Sequence, residues 1–449
     1  MKDAQNFEYD LLVVGAGSAG LSAAKSAAKQ GWQVAIAEQD TIGGTCVNRG
    51  CVPKKLMVYA ADVAQQQAMA TGYGWVNPKG LFDWSALKQS MHQHIAKINQ
   101  SMRSQLQEAG VTYLAGQAQF LDAHQLQVGD RTYSAAHVVI AVGARPTQLD
   151  CPGAELAITS RDMFTLTTLP KRIAIVGAGY IGVEFGSLLN WLDCEVTLLD
   201  VDDQILTGFD QDIRCAVQNS LTERGIRFIG GAKAKALEKT AQGLQLHLSN
   251  QTEALRTDCI LAAIGRQPNL AGLGLEQAGV QTDSGAIAVD DYGCTSQAHI
   301  YAVGDCTRRN KPLTPVAKAE GEAVAQTLLG TATPIDCTCI PSAVFARPEA
   351  ATVGLTEQMA ADELGEAMQV RCQSFQPLRY SLTQQSEQGL VKMIVNQKSN
   401  QVVGLHVVGE HAADIVQGVA VAIRQGITDK ALSRALGIHP TVGEEVLSL

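Results

Sequence analysis

Short apolar runs separated by glycine-rich turns dominate the first two thirds of the chain. Leu11–Val14 is apolar at every position, as in a parallel strand buried on both faces. It leads through Gly15-Ala16-Gly17-Ser18-Ala19-Gly20 into an Ala-rich helical stretch that ends near Gln30. The next run, Val34–Ala37, closes on Glu38. The same order recurs downstream: Ile173–Val176, then Gly177-Ala178-Gly179-Tyr180-Ile181-Gly182, then Val196–Leu199 closing on Asp200. First glycine and acid are 23 positions apart in each copy and the copies are 162 apart, so the chain reads as two dinucleotide-binding units rather than one chance turn. In such a unit the glycines let backbone N–H groups approach a pyrophosphate at a helix N-terminus, and the acid accepts from ribose hydroxyls.

Each copy carries a later echo, Ala141-Val142-Gly143-Ala144-Arg145-Pro146 and Ala263-Ile264-Gly265-Arg266-Gln267-Pro268. From first glycine to the echo's glycine the spacing is 128 in the first copy and 88 in the second, which gives the first about 40 extra residues. They fall between Lys54 and Leu106. There Ala60, Val63, Ala64 and then Leu87, Met91, Ile95, Ile98 and Met102 recur near helical spacing and predict helices packed through that stripe. From about Pro341 the texture changes to strands such as Leu390–Val395 and Val402–Val408 mixed with helices.

At 449 residues the chain is long enough for about three domains, and its apolar fraction of 46% supplies ample core. A net charge of -9 argues against nucleic acid or an anionic membrane surface as partner, so cofactor phosphates must be held by local dipoles. No window approaches the roughly 18 apolar residues of a membrane span, the N-terminal Met1–Asp10 is polar and acidic, and the 11 Cys are scattered. The expectation is a cytoplasmic protein in a reducing compartment. Cys337-Thr338-Cys339, with no His nearby, reads as structural, and no metal site is expected.

Cys46 and Cys51 stand out from the other thiols, lying in Gly43-Gly44-Thr45-Cys46-Val47-Asn48-Arg49-Gly50-Cys51-Val52-Pro53-Lys54-Lys55. In an ideal helix residues i and i+5 are roughly 8–9 Å apart at Cα, beyond the about 4.4–6.8 Å of a disulfide. Any pairing needs a distorted helix, for which Gly43, Gly44 and Gly50 supply backbone freedom, and nearby cations favour the thiolate.

This run resembles the active-site segment of the class I pyridine nucleotide disulfide oxidoreductases, and its Cys-Val-Pro-Lys-Lys ending is most similar to that of glutathione reductases. Dihydrolipoamide dehydrogenases usually carry Pro-Ser-Lys or Pro-Thr-Lys there. The resemblance implies an α/β fold with two nested Rossmann-like FAD- and NAD-binding domains plus a C-terminal α+β dimerisation domain. The expected boundaries are 1–148 and 269–338 for the FAD-binding domain, 149–268 for the NAD(P)-binding domain and 339–449 for dimerisation. It assigns FAD to Gly15, Gly17, Ser18, Ala19, Gly20 and Glu38, with Thr45, Lys54, Ala118 and Gly143. Ile300–Asp305 resembles the second flavin signature, with Asp305 at the ribityl chain, and Leu313 and Thr314 open the segment that meets the flavin pyrimidine. The nicotinamide cofactor falls to Gly177, Gly179, Tyr180, Ile181, Gly182, Glu184, Asp200 and Gly265. Tyr180 is expected to cover its pocket, and Glu184 to pair with Lys54 or its neighbour Lys55.

The ending His439-Pro440-Thr441-Val442-Gly443-Glu444 matches the family's His-Pro-Thr-x-x-Glu, in which the carboxylate sets the imidazole's tautomer and basicity. The family supplies this histidine from the partner subunit, which implies an obligate homodimer. By the same carry-over, electrons pass from nicotinamide through flavin to a Cys46–Cys51 disulfide. Cys51 is then the flavin-proximal thiol, Cys46 the attacking thiol, and His439 the acid–base.

Coenzyme and substrate depart from the glutathione reductase pattern. A 2′-phosphate is normally met by Arg and a free 2′-hydroxyl by an acid. Here Val201 and Thr207 occupy the two Arg positions of NADPH-dependent members, and Asp200, Asp202 and Asp203 would repel the phosphate, so NADH preference is expected, with NADPH the poorer coenzyme. Among positions that bind glutathione in family members, Lys25 replaces an arginine, Met102 an aromatic and Glu322 another arginine, which leaves a modified glutathione or another small disulfide open as substrate. Dihydrolipoamide dehydrogenase is the rival within the class, supported by Asp200 and opposed by Val52-Pro53-Lys54-Lys55. Mercuric and large thioredoxin reductases use further C-terminal thiols, whereas the last Cys here is Cys372. A rival of another class is a redox-sensing flavoprotein that does not turn over.

Overall fold

Strand β1 (Tyr9–Val14) pairs parallel with β2 (Val34–Glu38) on one side and β6 (Arg131–Ile140) on the other. Its successive residues reach opposite faces of the sheet, and both faces are covered. Leu11 and Val13 meet Ala23, Ala24 and Ala27 of helix α1 (Ser18–Ala28), while Leu12 and Val14 join Phe120, Leu126 and Ile140. That double burial is why Leu11–Val14 carries no polar residue. In this computed structural model, residues 7–76, 80–309 and 311–449 are described; the first six residues of the polar N-terminal segment lie outside them.

The chain forms two compact units. The first comprises 1–54, 86–147 and 266–337. Beyond β2 its sheet continues with β3 (Thr112–Ala115), and β19 (Ile300–Ala302) lies parallel against β6. β5 (Gln125–Val128) pairs antiparallel with the first half of β6, and β4 (Ala118–Phe120) pairs antiparallel with β5. The two echoes meet each other here: β7 (Ala144–Pro146) pairs antiparallel with β16 (Arg266–Pro268).

The second unit comprises 55–85, 148–265 and 338–449. β8 (Ile158–Thr159), β9 (Arg172–Val176), β10 (Glu195–Leu199), β11 (Arg227–Ile229) and β15 (Cys259–Ala262) form a parallel sheet in the order β11-β10-β9-β15-β8. β12 (Ala234–Thr240), β13 (Gly243–Leu248) and β14 (Leu255–Thr257) form an antiparallel meander. The C-terminal sheet runs β20 (Ser342–Val344), β21 (Ala350–Gly354), β24 (Gln401–Val408), β23 (Gly389–Asn396), β22 (Met368–Phe375), antiparallel throughout. In the first unit a short hairpin, β17 (Thr282–Asp283) with β18 (Ala286–Ile287), completes the strands.

Helix α2 (Gly44–Arg49) and helix α3 (Cys51–Ala70) replace the single distorted helix expected across the thiols; the break is Gly50, at φ -152 and ψ -114. A Cβ at Gly50 would lie 2.9 Å from the carbonyl oxygen of Thr45, so only glycine lets the turn close this tightly. Helix α4 (Trp84–Glu108) keeps the expected stripe, burying Met91 and Ile95 with Trp84 and Leu106 at its ends. The stripe expected in α3 is corrected. Val63 is 53% exposed, and the buried positions are Pro53, Met57, Val58, Ala61, Gln65 and Met69, one helical face away from Ala60, Val63 and Ala64. Small residues at 60, 61 and 64 left the face undecided in the sequence. The remaining helices are α5 (Tyr180–Trp191), α6 (Gln211–Glu223), α7 (Thr314–Leu328), α8 (Glu357–Leu364), α9 (Ala412–Arg424) and α10 (Asp429–Ser433). No helix among the described residues is long and apolar enough to cross a membrane.

Candidate active site

The thiols lie on either side of the Gly50 break, Cys46 in α2 and Cys51 at the start of α3. Their sulfurs interact: the hydrogen bond to Cys51, with burial second, raises the Cys46 thiol. Thr314 and Lys54 act the other way. Cys51 Sγ lies 3.6 Å from Thr314 Oγ1, the first residue of α7. That helix has no side-chain cap at Leu313, and its N-terminal end, where the helix dipole is positive, lies beside Cys51.

Asn48 holds the turn between the thiols. Its Nδ2 donates to the carbonyls of Thr41 (3.2 Å), Ile42 (3.0 Å) and Gly44 (3.0 Å), and its Oδ1 accepts from Asn99 Nδ2 on α4 at 3.0 Å. Asn99 also donates to Ile42 O at 2.7 Å. Arg49 closes the outer side through Asp40 at 2.6 Å. Sequence reasoning missed Asn48 and Asn99, because an amide inside a helical segment carries no signal of what it clamps.

The two fingerprints have the same construction. Helices α1 and α5 begin after Gly17 and Gly179 with no side-chain cap and no acid in the first turn, which leaves their first N–H groups for a phosphate. A Cβ at Gly20 would fall 1.9 Å from Gly15 O, and one at Gly182 1.9 Å from Gly177 O. Each closing acid ties its own loop: Glu38 Oε2 accepts from Ala16 N at 2.8 Å, and Asp200 Oδ2 from Ala178 N at 2.5 Å. The echoes also acquire a physical role. A Cβ at Gly15 would sit 2.4 Å from Ala141 O and one at Gly177 2.4 Å from Ala263 O, so each echo is the floor of its glycine turn.

Whether the first unit fits a flavin dinucleotide is tested by Asp305 and Arg266. Burial raises the Asp305 carboxyl, and Arg266, with Nε 4.0 Å away, is the countering charge. A carboxyl so placed suits a polyol hydroxyl. Arg266 Nη2 donates to Ala144 O at 2.5 Å and reaches Thr45 Oγ1 at 3.5 Å, so it links the echo ribbon to the thiol segment, a role the sequence did not suggest. Gly304 N donates to the buried carboxylate of Glu320 at 2.6 Å, fixing the turn before Asp305. Ser18 and Ala19 open α1. Gly143 accepts from Asn269 N at 2.9 Å, and Ala118 is 4% exposed in β4.

In the second unit Tyr180 begins α5 and is 41% exposed, while Glu184 is buried and accepts from Phe345 N at 2.9 Å. Lys55 reaches Glu349 at 3.7 Å, with its ammonium 3.9 Å from the Phe345 ring centroid. Asp202 accepts from Thr207 Oγ1 at 2.6 Å, and Arg214, the guanidinium near this loop, is turned onto the carbonyl of Ile205 at 2.8 Å. His439 is 82% exposed, and its Nδ1 lies 3.1 Å from both Glu444 oxygens. The N–H of Thr441 and then the imidazole of His439 hold the Glu444 carboxyl below its usual range. Of the three positions read against the family's glutathione contacts, Lys25 Nζ donates to Gln105 Oε1 at 3.2 Å, Met102 is partly buried and Glu322 is exposed. Among the described residues no group of three or more His, Cys, Asp or Glu is placed to hold a metal ion.

Comparison with known proteins decides the family. Residues 9–321 match the model described as pyridine nucleotide-disulphide oxidoreductase, and residues 340–449 match that family's dimerisation domain. The chain belongs to the pyridine nucleotide-disulphide oxidoreductases. It is 44% identical over 457 residues to a glutathione reductase of a Nostoc species and 42% identical over 447 residues to one of Burkholderia cepacia, with 99% of this chain and of each relative covered. A chloroplastic/mitochondrial glutathione reductase of Pisum sativum is 39% identical over 460 residues, covering 99% of this chain and 83% of the relative. As a member of this family the protein is a flavoprotein oxidoreductase with FAD and a disulfide redox centre.

Proposed function

We infer that the protein reduces a low-molecular-weight disulfide, glutathione disulfide or a glutathione-like one, with NADH preferred over NADPH. The observation that carries this is the interacting Cys46–Cys51 pair, broken across Gly50 and set at the N-terminus of α7. Relatives named glutathione reductase across the full chain support the substrate class. FAD, when bound, carries two electrons from the nicotinamide to sulfur. The chain's residues do the rest. The partner subunit's His439, which Glu444 orients, takes the Cys46 proton; the Cys46 thiolate attacks one sulfur of the substrate, forming a mixed disulfide, and the departing thiolate takes that proton back from the imidazolium. Cys51 thiolate then attacks Cys46 Sγ, expelling the second substrate sulfur as a thiolate that is protonated by the same imidazole after it takes a proton from solvent, and the Cys46–Cys51 disulfide is restored. The homodimer, the pairing of Lys54 with Glu184 and the cover by Tyr180 belong to this proposal.

NADH preference is supported by Asp200, Asp202 and Asp203 at the end of β10, with Val201 and Thr207 where Arg would hold a phosphate. The test is steady-state oxidation of NADH and NADPH against glutathione disulfide, related disulfides and lipoamide. Turnover with glutathione disulfide, little with lipoamide and higher kcat/KM for NADH are expected. Faster lipoamide turnover would move the assignment to a dihydrolipoamide dehydrogenase, and a higher kcat/KM for NADPH would refute the coenzyme reading. Cys46→Ser and Cys51→Ser should keep the flavin colour and abolish turnover; retained speed in either would refute the mechanism.

A further inference from the structure

Lys392 sits on β23 in the C-terminal sheet with no exposed surface, yet its ammonium is surrounded by carboxylates. Nζ lies 2.8 Å from Asp210 Oδ1, 2.6 Å from Asp212 Oδ2 and 2.5 Å from Glu357 Oε2. Asp212 and Glu357 are nearly half exposed and screened by water, whereas the Asp210 side chain is fully buried, so Asp210 is the counter-ion that matters. Asp210 caps α6 by accepting from Asp212 N at 3.1 Å and also accepts from Glu357 N at 2.9 Å. His406, paired with Lys392 across β23 and β24, places Nε2 4.0 Å from the other Asp210 oxygen, and burial holds its imidazole towards the neutral form. Burial works to raise the Asp210 carboxyl, but the Glu357 N–H and the Lys392 ammonium outweigh it and keep it ionised.

Asp210 is also the far end of the loop that leaves β10. The near end is tied by Asp200 to Ala178 N, and the middle by Thr207 to Asp202 and by Arg214 to Ile205 O, with Ile205 and Leu206 buried beneath. Residues 200–209 carry the carboxylates read above as facing the coenzyme ribose. An ion pair buried this deeply adds little stability over an apolar pair of the same shape, so what it provides is placement. We propose that Lys392 is a positioning residue for coenzyme discrimination: by seating Asp210 it sets where the 200–209 loop holds its carboxylates.

This rests on the coenzyme assignment of the preceding subsection, and the test separates the two. Lys392→Met combined with Asp210→Asn removes both buried charges together, so neither is left unpaired. Expected for the double variant are a rise of about tenfold in KM for NADH, a fall in the NADH-to-NADPH ratio of kcat/KM, and an unchanged KM for the disulfide. Asp212→Asn with Glu357→Gln keeps the buried pair and should shift the same two quantities less, which covers a double variant that fails to fold. Unchanged coenzyme KM and ratio in a folded variant, or an equal loss with every substrate, would overturn the proposal. Should the wild-type protein prefer NADPH, the assignment falls, while a KM shift for that coenzyme alone would still support the positioning role.

Discussion

Asn48→Ala tests whether the thiol pair depends on a hydrogen-bonded clamp. The substitution removes a donor serving Thr41 O, Ile42 O and Gly44 O and the acceptor used by Asn99. Ile42 O keeps Asn99 at 2.7 Å and Gly44 O remains in the first turn of α2, so Thr41 O is the carbonyl that loses its partner. One orphaned backbone acceptor costs about 1–3 kcal/mol, and the lower half of that range applies because the segment is only partly buried. Asn99→Ala strips the same clamp from the other side. A double-mutant cycle should therefore return a coupling of roughly 0.5–1.5 kcal/mol instead of additivity. Chemically, Cys46 lies two residues from Asn48 and loses its fixed distance from Cys51. We expect kcat/KM for the disulfide to fall about tenfold with the coenzyme KM unchanged, since loss of near-attack placement is felt in the sulfur step alone. Denaturant unfolding and steady-state kinetics on the two single variants and the double read both effects. Wild-type unfolding midpoints, or strictly additive variants, would refute the clamp.

Acid should weaken the first unit through its histidines. The rings of His124 and His299 stack at 3.9 Å, His137 stacks on Trp32, and burial holds both His137 and His299 below the ordinary imidazole value. The unfolded chain then binds more protons, so stability should fall as pH drops through about 6.5, and His299→Gln should flatten that slope in unfolding midpoints measured at pH 7.5 and 5.5. An unchanged slope would remove the stack as its cause. Glu444→Gln should cut kcat about a hundredfold while leaving reduction of the flavoprotein by NADH in rapid mixing intact, because in the proposed mechanism only the sulfur step uses His439. A loss confined to the reductive step would exclude that role.

How much was legible follows from the range over which each feature is encoded. Both glycine fingerprints, their closing acids, the thiol pair and the strands around them are local, because a turn that brings backbone onto backbone needs particular residues at fixed spacing. The need for a distorted helix between Cys46 and Cys51 was equally local, since helical rise forbids their approach otherwise, but the full break at Gly50 came with the fold. Tertiary structure alone decided what those segments touch. The echoes had a visible repeat but no meaning until each lay beneath its glycine turn. Asn48 with Asn99, Arg266 with Asp305, and Lys392 with Asp210 join residues 51, 39 and 182 positions apart. A polar side chain names its partner only by the space it is folded into. The buried face of α3 was misjudged for the same reason: with small residues on two adjoining faces, packing chose the side, and periodicity could not.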